Sequence, residues 1–406
     1  MSRIVMAGMP ASGHLNPSLP LVRELVRRGI EVTYCTGTEF RDAVERTGAE
    51  FVGYPDGSLS AADIAAATRT GSSVAVVNRI LTATESLLPF VLDQVREGPT
   101  DAVLHDSNAL WGRMAAASLR LPTISFMTTF LVGTANVRVM NGREWRTSIT
   151  PMLRDIPATF AQRRRLARRF GKQLFPPAPM LPMRGDLSIF PVPRELQSPD
   201  PRIDGSCHFI GPTIDPDIQQ GQLDAELAAH VTGPEPVVLV SLGTLHAGSL
   251  DFFHACFDVL ADLPARVLLA VGSHLDPAAL GTPPANTLVR QTVPQLEVLR
   301  HTAAFVTHGG MNSAMEGLSF GVPLVVVPQQ VEQLIIGKVV EDRGAALVLR
   351  HNVSRRAVPP AELRTAVEHA LTDPAMRTAA KTMSTTLTTG GGAPAGADAV
   401  QRLLTP

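Results

Sequence analysis

Short apolar runs alternate along this chain with longer stretches of helical spacing. Residues 4–9 form an apolar run, followed by a loop of Gly, Ser and Pro over 9–13. Residues 14–28 then carry Leu15, Leu19, Leu21, Val22, Leu25 and Val26 on one helical face, and Gly29 ends that helix. Residues 31–35 read as the next strand, with 102–104 and 123–127 as two more. The pattern restarts at the valine-rich run 237–241 and continues with strands at 266–271, 287–289, 304–307 and 323–327, with helical stretches between them. Strand, helix, strand with short loops predicts parallel sheets covered on both faces. Residues 199–236, between the two series, are rich in Pro, Gly and Asp, where a linker belongs. The predicted architecture is α/β: two doubly wound parallel-sheet halves with a cleft between them.

Ligands of such sheets gather at the carboxyl ends of the strands. The loops after Met9, Leu104, Ser241, Thr307 and Val327 are therefore the places to search. Ser241-Leu-Gly243-Thr244 offers a glycine for close backbone approach and a hydroxyl for a phosphate oxygen. After Thr307 comes His308-Gly-Gly310-Met311-Asn312-Ser313, opening a helix over 314–319. Exposed backbone N–H groups and the positive dipole end of a helix make an anion site there. An ordinary helix cap with a flexible entry loop fits the same residues. Glu316 lies one turn in, where a carboxylate can accept two ribose hydroxyls or face solvent.

Composition narrows the classes. A chain of 406 residues exceeds what one core usually serves, so two domains are expected. A net charge of −1 gives no sign of a nucleic acid or an anionic membrane as partner. Cys35, Cys207 and Cys256 are odd in number and lack metal spacing, which fits a reducing cytosol. The first residues lack a signal peptide's apolar core, and no apolar run approaches the ~18 residues of a membrane span. A cytoplasmic protein is expected.

Three segments together carry a resemblance. They are Thr292-Val-Pro-Gln-Leu-Glu-Val-Leu, then Phe305-Val-Thr-His-Gly-Gly-Met-Asn-Ser-Ala-Met-Glu-Gly-Leu-Ser-Phe-Gly-Val-Pro, then Pro328-Gln-Gln-Val-Glu-Gln333. They resemble the donor-binding signature of the UDP-glycosyltransferase superfamily, nearest its bacterial macrolide and natural-product branch. Gly13-His14-Leu-Asn-Pro17, Leu104-His-Asp106, Ser241-Leu-Gly-Thr244 and the glycine-rich tail after Gly390 extend the likeness over nearly the whole chain. It is weakest over 55–100 and 130–200, where the family holds its acceptor.

The resemblance implies the GT-B fold, two Rossmann-like domains facing a central cleft. Its domains would be 1–213 for the acceptor, a linker at 214–235, 236–384 for the nucleotide sugar, and a tail helix at 385–406 packing back on the first domain. The implied activity is inverting, metal-independent hexosyl transfer from UDP-glucose to a hydroxyl of a hydrophobic small molecule, giving a β-glycoside with no cofactor. His14 falls on the catalytic base and Asp106 on the partner that holds its imidazole. A helix N-terminus also keeps a histidine neutral and able to accept a proton. His308 with Thr244, Asn312 and Ser313 falls on the pyrophosphate cradle, Ser241, Gly243 and Gly310 elsewhere in the donor site, and Glu316 on the ribose carboxylate. Val293 and Gln295 fall beside the nucleoside, and Glu332 and Gln333 on the pair that binds hexose hydroxyls. Charge on the departing diphosphate is then offset by these donors without metal.

One departure concerns Thr292, where the family usually has an aromatic ring on the nucleobase. Such a stack is worth about 1–3 kcal/mol, so a weaker hold on the donor is implied unless Arg290 supplies a guanidinium face. A dTDP-deoxysugar donor is the alternative. A nucleotide-sugar epimerase or a non-catalytic helper is more remote, because a helper would have lost His14, Asp106 or His308. Met127, Phe130, Met140 and Trp145, with Met152 and Phe160, suit an adaptable apolar acceptor surface or simply the core. Gly317-Leu-Ser-Phe-Gly321 fits the G-x-S-x-G pattern, but a helix precedes it and a strand follows, the reverse of a nucleophile elbow. The basic stretch 163–172 reads as a solvated helix face.

Overall fold

The computed structural model describes residues 2–131, 133, 138–176, 181–215, 217, 221–243 and 249–405. The chain divides into two compact units. One comprises Met1–Gly133, Ser148–Ile218 and Thr389–Pro406, and the other Thr134–Thr147 and Gln219–Thr388. Each is built on one wholly parallel sheet.

In the first unit the strands are β1 (Arg3–Ala7), β2 (Glu31–Thr36), β3 (Glu50–Gly53), β4 (Ala102–Asp106), β5 (Thr123–Phe126), β6 (Leu187–Phe190) and β7 (Cys207–Phe209). Their order in the sheet is β3-β2-β1-β4-β5-β6-β7. Side chains alternate across a strand, so β1 feeds two cores. Val5 and Ala7 join Ile80, Leu87, Leu88 and Trp111 on one face, while Ile4 and Met6 join Leu21, Leu25, Ile124 and Val400 on the other. This double burial is why the strands read as unbroken apolar runs. The terminal helix Gly392–Leu404 packs on the helix Leu19–Arg27, and Arg28 fastens it through Asp398 at 2.5 Å.

The second unit contains β8 (Val237–Ser241), β9 (Arg266–Ala270), β10 (Thr287–Arg290), β11 (Thr302–Thr307), β12 (Leu324–Val326) and β13 (Ala346–Val348), ordered β10-β9-β8-β11-β12-β13. Val238, Val240, Leu269, Val306 and Val325 pack with Phe253 and Leu363 in its core.

Several expectations need correction. The helix predicted over 14–28 is interrupted: Ser12–Leu15 is α-helical, Asn16–Ser18 is a 3₁₀ turn, and Leu19–Arg27 is α-helical again. Pro17 and Pro20 withhold the N–H groups that a continuous helix needs. The stretch read as linker is partly structured. It contains β7 of the first sheet and the helix Ala225–Val231 of the second unit, whose Leu227 and Val231 are buried. The helix Pro374–Thr388 runs past the boundary predicted at 384 and stays with the second unit. The helix Ser73–Arg96 is long and apolar enough to cross a membrane by length and composition. Its Ile80, Leu81, Leu87, Leu88, Val91 and Val95 lie instead in the first unit's core beside Trp111 and Met114.

Candidate active site

In each sheet the strand order reverses direction at one point, and loops part there to leave room for a ligand. In the first unit that point lies between β1 and β4, paired through Ala7 and His105. The loop leaving β1 runs into the short helix Ser12–Leu15, which carries His14, and β4 ends on Asp106. His14 Nδ1 lies 2.9 Å from Asp106 Oδ2. Asp106 is buried, and its Oδ1 accepts the Asn108 backbone N–H at 2.8 Å, so the carboxylate is held from its own side. An ionised carboxylate only accepts, so the proton of the neutral imidazole belongs on Nδ1 and Nε2 is the basic nitrogen. His105, one residue earlier, is a different kind of histidine. It is fully buried, its Nδ1 lies 2.9 Å from the Asp106 carbonyl oxygen, and burial pushes its pKa down to about 4.

The loop is fastened from beneath. Tyr54 donates its hydroxyl to the Gly8 carbonyl at 2.7 Å and accepts from Trp111 Nε1 at 2.8 Å. Ser18 Oγ bonds the Leu15 carbonyl at 2.7 Å and meets the Tyr34 hydroxyl at 2.8 Å. Burial raises both tyrosine pKa values, so they stay neutral here.

In the second unit the reversal lies between β8 and β11, paired through Ser241 and Thr307. Ser241 is buried at the end of β8, and Gly243 follows it with φ +81°. A Cβ on Gly243 would come within 2.7 Å of the His308 ring, and one on Gly310 within 2.4 Å, so the imidazole is seated between two positions that only glycine permits. Thr244 lies outside the described residues. Gly310 is the N-cap of the helix Met311–Ser319 and supplies no side-chain cap. The first-turn N–H groups of that helix, including those of Asn312 and Ser313, are thus left for a ligand or water. Ser319 donates to the Met315 carbonyl at 2.7 Å, as an ordinary helical serine does.

Glu316 is 6% exposed. Its Oε2 accepts from Gln295 Nε2 at 2.5 Å and its Oε1 from Asn312 Nδ2 at 2.8 Å. Burial outweighs these two bonds and raises its pKa to about 7. Asn312, expected in the pyrophosphate cradle, therefore spends its amide on Glu316, and so does Gln295, expected beside the nucleoside. Gln333 is also engaged. Its Oε1 accepts the backbone N–H groups of Gln329 at 2.7 Å and Gln330 at 3.2 Å, capping the helix Val331–Glu341. Glu332 next to it is exposed.

Thr292 is exposed and Val293 half-buried, in the loop after β10. Arg290 is not presented as a stacking face: its guanidinium is ion-paired with Glu226 and lies 3.9 Å from Asp224. Met127 and Phe130 are sealed in the core, which corrects their reading as acceptor surface. Met140 is half-buried, whereas Trp145 is 37% and Phe160 64% exposed. Of the basic stretch, Arg163, Arg164, Arg168 and Arg169 are exposed, Arg165 pairs with Glu85 at 2.6 Å, and Leu166 is the buried anchor.

Two features have no counterpart in the sequence reading. Thr128, buried just past β5, places its hydroxyl 3.0 Å from His14 Nδ1. A hydroxyl at a strand end was the available signal. Glu144, wholly buried, takes a two-pronged grip from Arg350, Nε to Oε1 at 2.6 Å and Nη2 to Oε2 at 2.5 Å. Among the described residues, no three His, Cys, Asp or Glu side chains group as a metal site would require.

Comparison with known proteins points to one family. Residues 186–388 match the family model described as UDP-glucoronosyl and UDP-glucosyl transferase. The chain is 31% identical to the NDP-glycosyltransferase YjiC of Bacillus licheniformis, over 99% of this chain and 98% of that protein. It is 29% identical to demethyllactenocin mycarosyltransferase of Streptomyces fradiae, over 100% of this chain and 87% of that protein. Among solved structures it is similar to the glycotransferase of kitacinnamycin, with a TM-score of 0.81 and 32% identity over 99% of this chain and 98% of that one. Two parallel sheets, each with its polar residues at the point where strand order reverses, and these likenesses over almost the full length place the chain in the UDP-glucoronosyl and UDP-glucosyl transferase family, as a glycosyltransferase of GT-B fold.

Proposed function

We propose that this enzyme moves a hexose, preferentially glucose from UDP-glucose, onto a hydroxyl of an apolar natural product, inverting the anomeric centre without a metal. The observation that carries the reading is the 2.9 Å contact between His14 Nδ1 and the buried Asp106 carboxylate. That contact leaves Nε2 as the base. His14 Nε2 takes the proton of the acceptor hydroxyl as its oxygen bonds to the anomeric carbon. The bond from that carbon to the diphosphate oxygen breaks on the opposite side, and its electron pair leaves with UDP. Asp106 stabilises the imidazolium formed. The uncapped N–H groups at Met311–Ser313 and the glycine-seated His308 suit the growing charge on the diphosphate.

Glu316 supports a ribose donor. Each of its oxygens holds one amide bond and keeps a lone pair for one of two vicinal hydroxyls. A thymidine nucleotide lacks the 2′-hydroxyl, and one unmade bond costs about 1–3 kcal/mol. Glu332 and the amide nitrogen of Gln333 then favour a sugar with free hydroxyls. The acceptor class rests on the kitacinnamycin and demethyllactenocin named for two relatives, and on exposed Trp145, Leu153 and Phe160. A dTDP-deoxysugar donor is the second reading, favoured by the small Thr292 at the base position and by the mycarosyltransferase relative.

The test is an incubation of the enzyme with UDP-glucose or dTDP-glucose and a panel of phenolic and macrolide acceptors, read by mass spectrometry. One hexose gained by an acceptor, with kcat/KM about ten- to a hundred-fold higher for UDP-glucose, is the expected result. Equal or reversed donor preference refutes the UDP assignment. Free glucose as the sole product across the panel refutes transfer to such acceptors.

A further inference from the structure

We propose that Thr128 is a positioning residue for His14, giving the Nδ1–H a second acceptor beside Asp106 and holding the ring while Nε2 accepts a proton. The inference rests on the reading of His14 as the base. His14 Nδ1 faces two oxygens, Asp106 Oδ2 at 2.9 Å and Thr128 Oγ1 at 3.0 Å. Their chemistry differs. The carboxylate only accepts, whereas the threonine hydroxyl accepts or donates as its hydrogen turns. With Nδ1 protonated, both oxygens share one N–H, and the Thr128 hydrogen points elsewhere. Ser107 Oγ, 3.4 Å away, is within its reach. With Nδ1 bare, Thr128 donates to it, but a nitrogen lone pair then confronts the Asp106 carboxylate. The second arrangement is repulsive, so the carboxylate selects the tautomer whose Nε2 is basic, and Thr128 turns to accept from the same N–H.

Thr128 suits this role because it cannot drift. It follows β5 directly, and β5 lies between β4 and β6. The neighbouring backbone is tied on both sides, Met127 N–H to the Ile189 carbonyl at 2.8 Å and Ser107 N–H to the Phe126 carbonyl at 2.9 Å. Asp106 sits at the end of β4, likewise within the sheet. The imidazole thus spans two adjacent strand ends of fixed spacing. One anchor alone lets a ring rotate about its own bond to Cβ, and two anchors define its plane. When the acceptor proton arrives on Nε2, the Nδ1–H becomes a stronger donor and both bonds tighten.

The test compares Thr128→Val, Thr128→Ser and His14→Ala by steady-state kinetics, UDP binding, thermal melting and ring ¹⁵N NMR of histidine-labelled protein. Thr128→Val is expected to lower kcat about two- to fifteen-fold, the rate equivalent of one hydrogen bond, with UDP affinity unchanged. Thr128→Ser restores most of that loss. The His14 nitrogen shifts are expected to report Nδ1–H in the parent and, because Asp106 remains, in Thr128→Val too, with the Nδ1 resonance moved by loss of its second acceptor. A parental kcat in Thr128→Val, or a Thr128→Ser variant no better than Thr128→Val, overturns the positioning role. If His14→Ala itself turns over at the parental rate, the fault lies with the base assignment. An inactive His14→Ala beside a fully active Thr128→Val rejects the role of Thr128 alone.

Discussion

Replacing Glu316 with Gln should stabilise the empty protein above neutral pH while weakening its hold on UDP. The carboxyl is buried, and its pKa rises from the ordinary 4.5 to about 7 despite amide bonds from Gln295 and Asn312. A carboxyl whose folded pKa exceeds its unfolded value binds its proton longer in the native state. Between pH 4.5 and 7 the native state therefore holds more protons than the unfolded one, and stability falls as pH rises. The loss is complete above pH 7 and absent below 4.5. At about 1.4 kcal/mol per pH unit, it amounts to about 3 kcal/mol. The amide introduced by Glu316→Gln cannot ionise and escapes this loss, but its own NH₂ must face one of the two amide donors. One neighbour must flip, which returns about 1 kcal/mol. A net gain of about 2 kcal/mol at about pH 8 raises the Tm of the second unit by about 4–8 °C. Calorimetric melting from about pH 5 to about pH 8 checks this, and the gain must shrink to nothing or reverse towards the acid end. Titration with UDP on the same samples should show affinity reduced about ten-fold or more in Glu316→Gln, since the charge-assisted bonds to ribose are lost. Parallel pH profiles for parent and variant would refute the buried-carboxylate argument. Unchanged UDP affinity would remove Glu316 from the donor site.

Three further outcomes are expected. His14→Ala should lower turnover by about 10²–10⁴ with an alcohol acceptor while leaving UDP binding intact, and Asp106→Ala should cost less because the imidazole keeps some basicity. EDTA should leave turnover unchanged, and an α-linked donor should give a β-glycoside, readable from the anomeric proton coupling. Glu144→Ala should lower stability by about 1–3 kcal/mol in thermal melting, because it strips the half-buried Arg350 of a two-pronged partner and Asn141 N–H of its acceptor at 2.8 Å.

The parts of the fold legible in the sequence are those governed by local rules. Strands buried on both faces must be continuously apolar, so β1, β4, β8 and β11 stand out without any neighbour in view. The glycines around His308 are legible for a similar reason, since the positive φ at Gly309 and the His308 ring against Gly310 permit little else. The helices Ser73–Arg96 and Gly142–Phe170 are not legible in this way. Pro89 interrupts the first, and Pro151 and Pro157 the second, so their local signals contradict the helix that packing enforces. Nor can sequence separate a core methionine from one that meets a ligand. Met127 and Phe130, just past the end of β5, are buried, while Phe160 stays out on a helix face.

The site divides along the same line. The residues to which the proposed function gives the chemistry, His14, Asp106, His308 and Glu316, were read from short motifs, because a catalytic atom needs a particular side chain at a particular strand end. Their present bonds were settled only by tertiary structure. Asp106 and Thr128 stand 92 and 114 residues from His14, and parallel pairing of β1, β4 and β5 brings all three together. Glu316 acquired its raised pKa from the helix and loop that bury it, and Gln333 found work at its own helix cap. Sequence names the functional group. Its protonation and its hydrogen-bond partners are properties of the surrounding space, which exists only once the sheet has fixed which strand ends lie side by side.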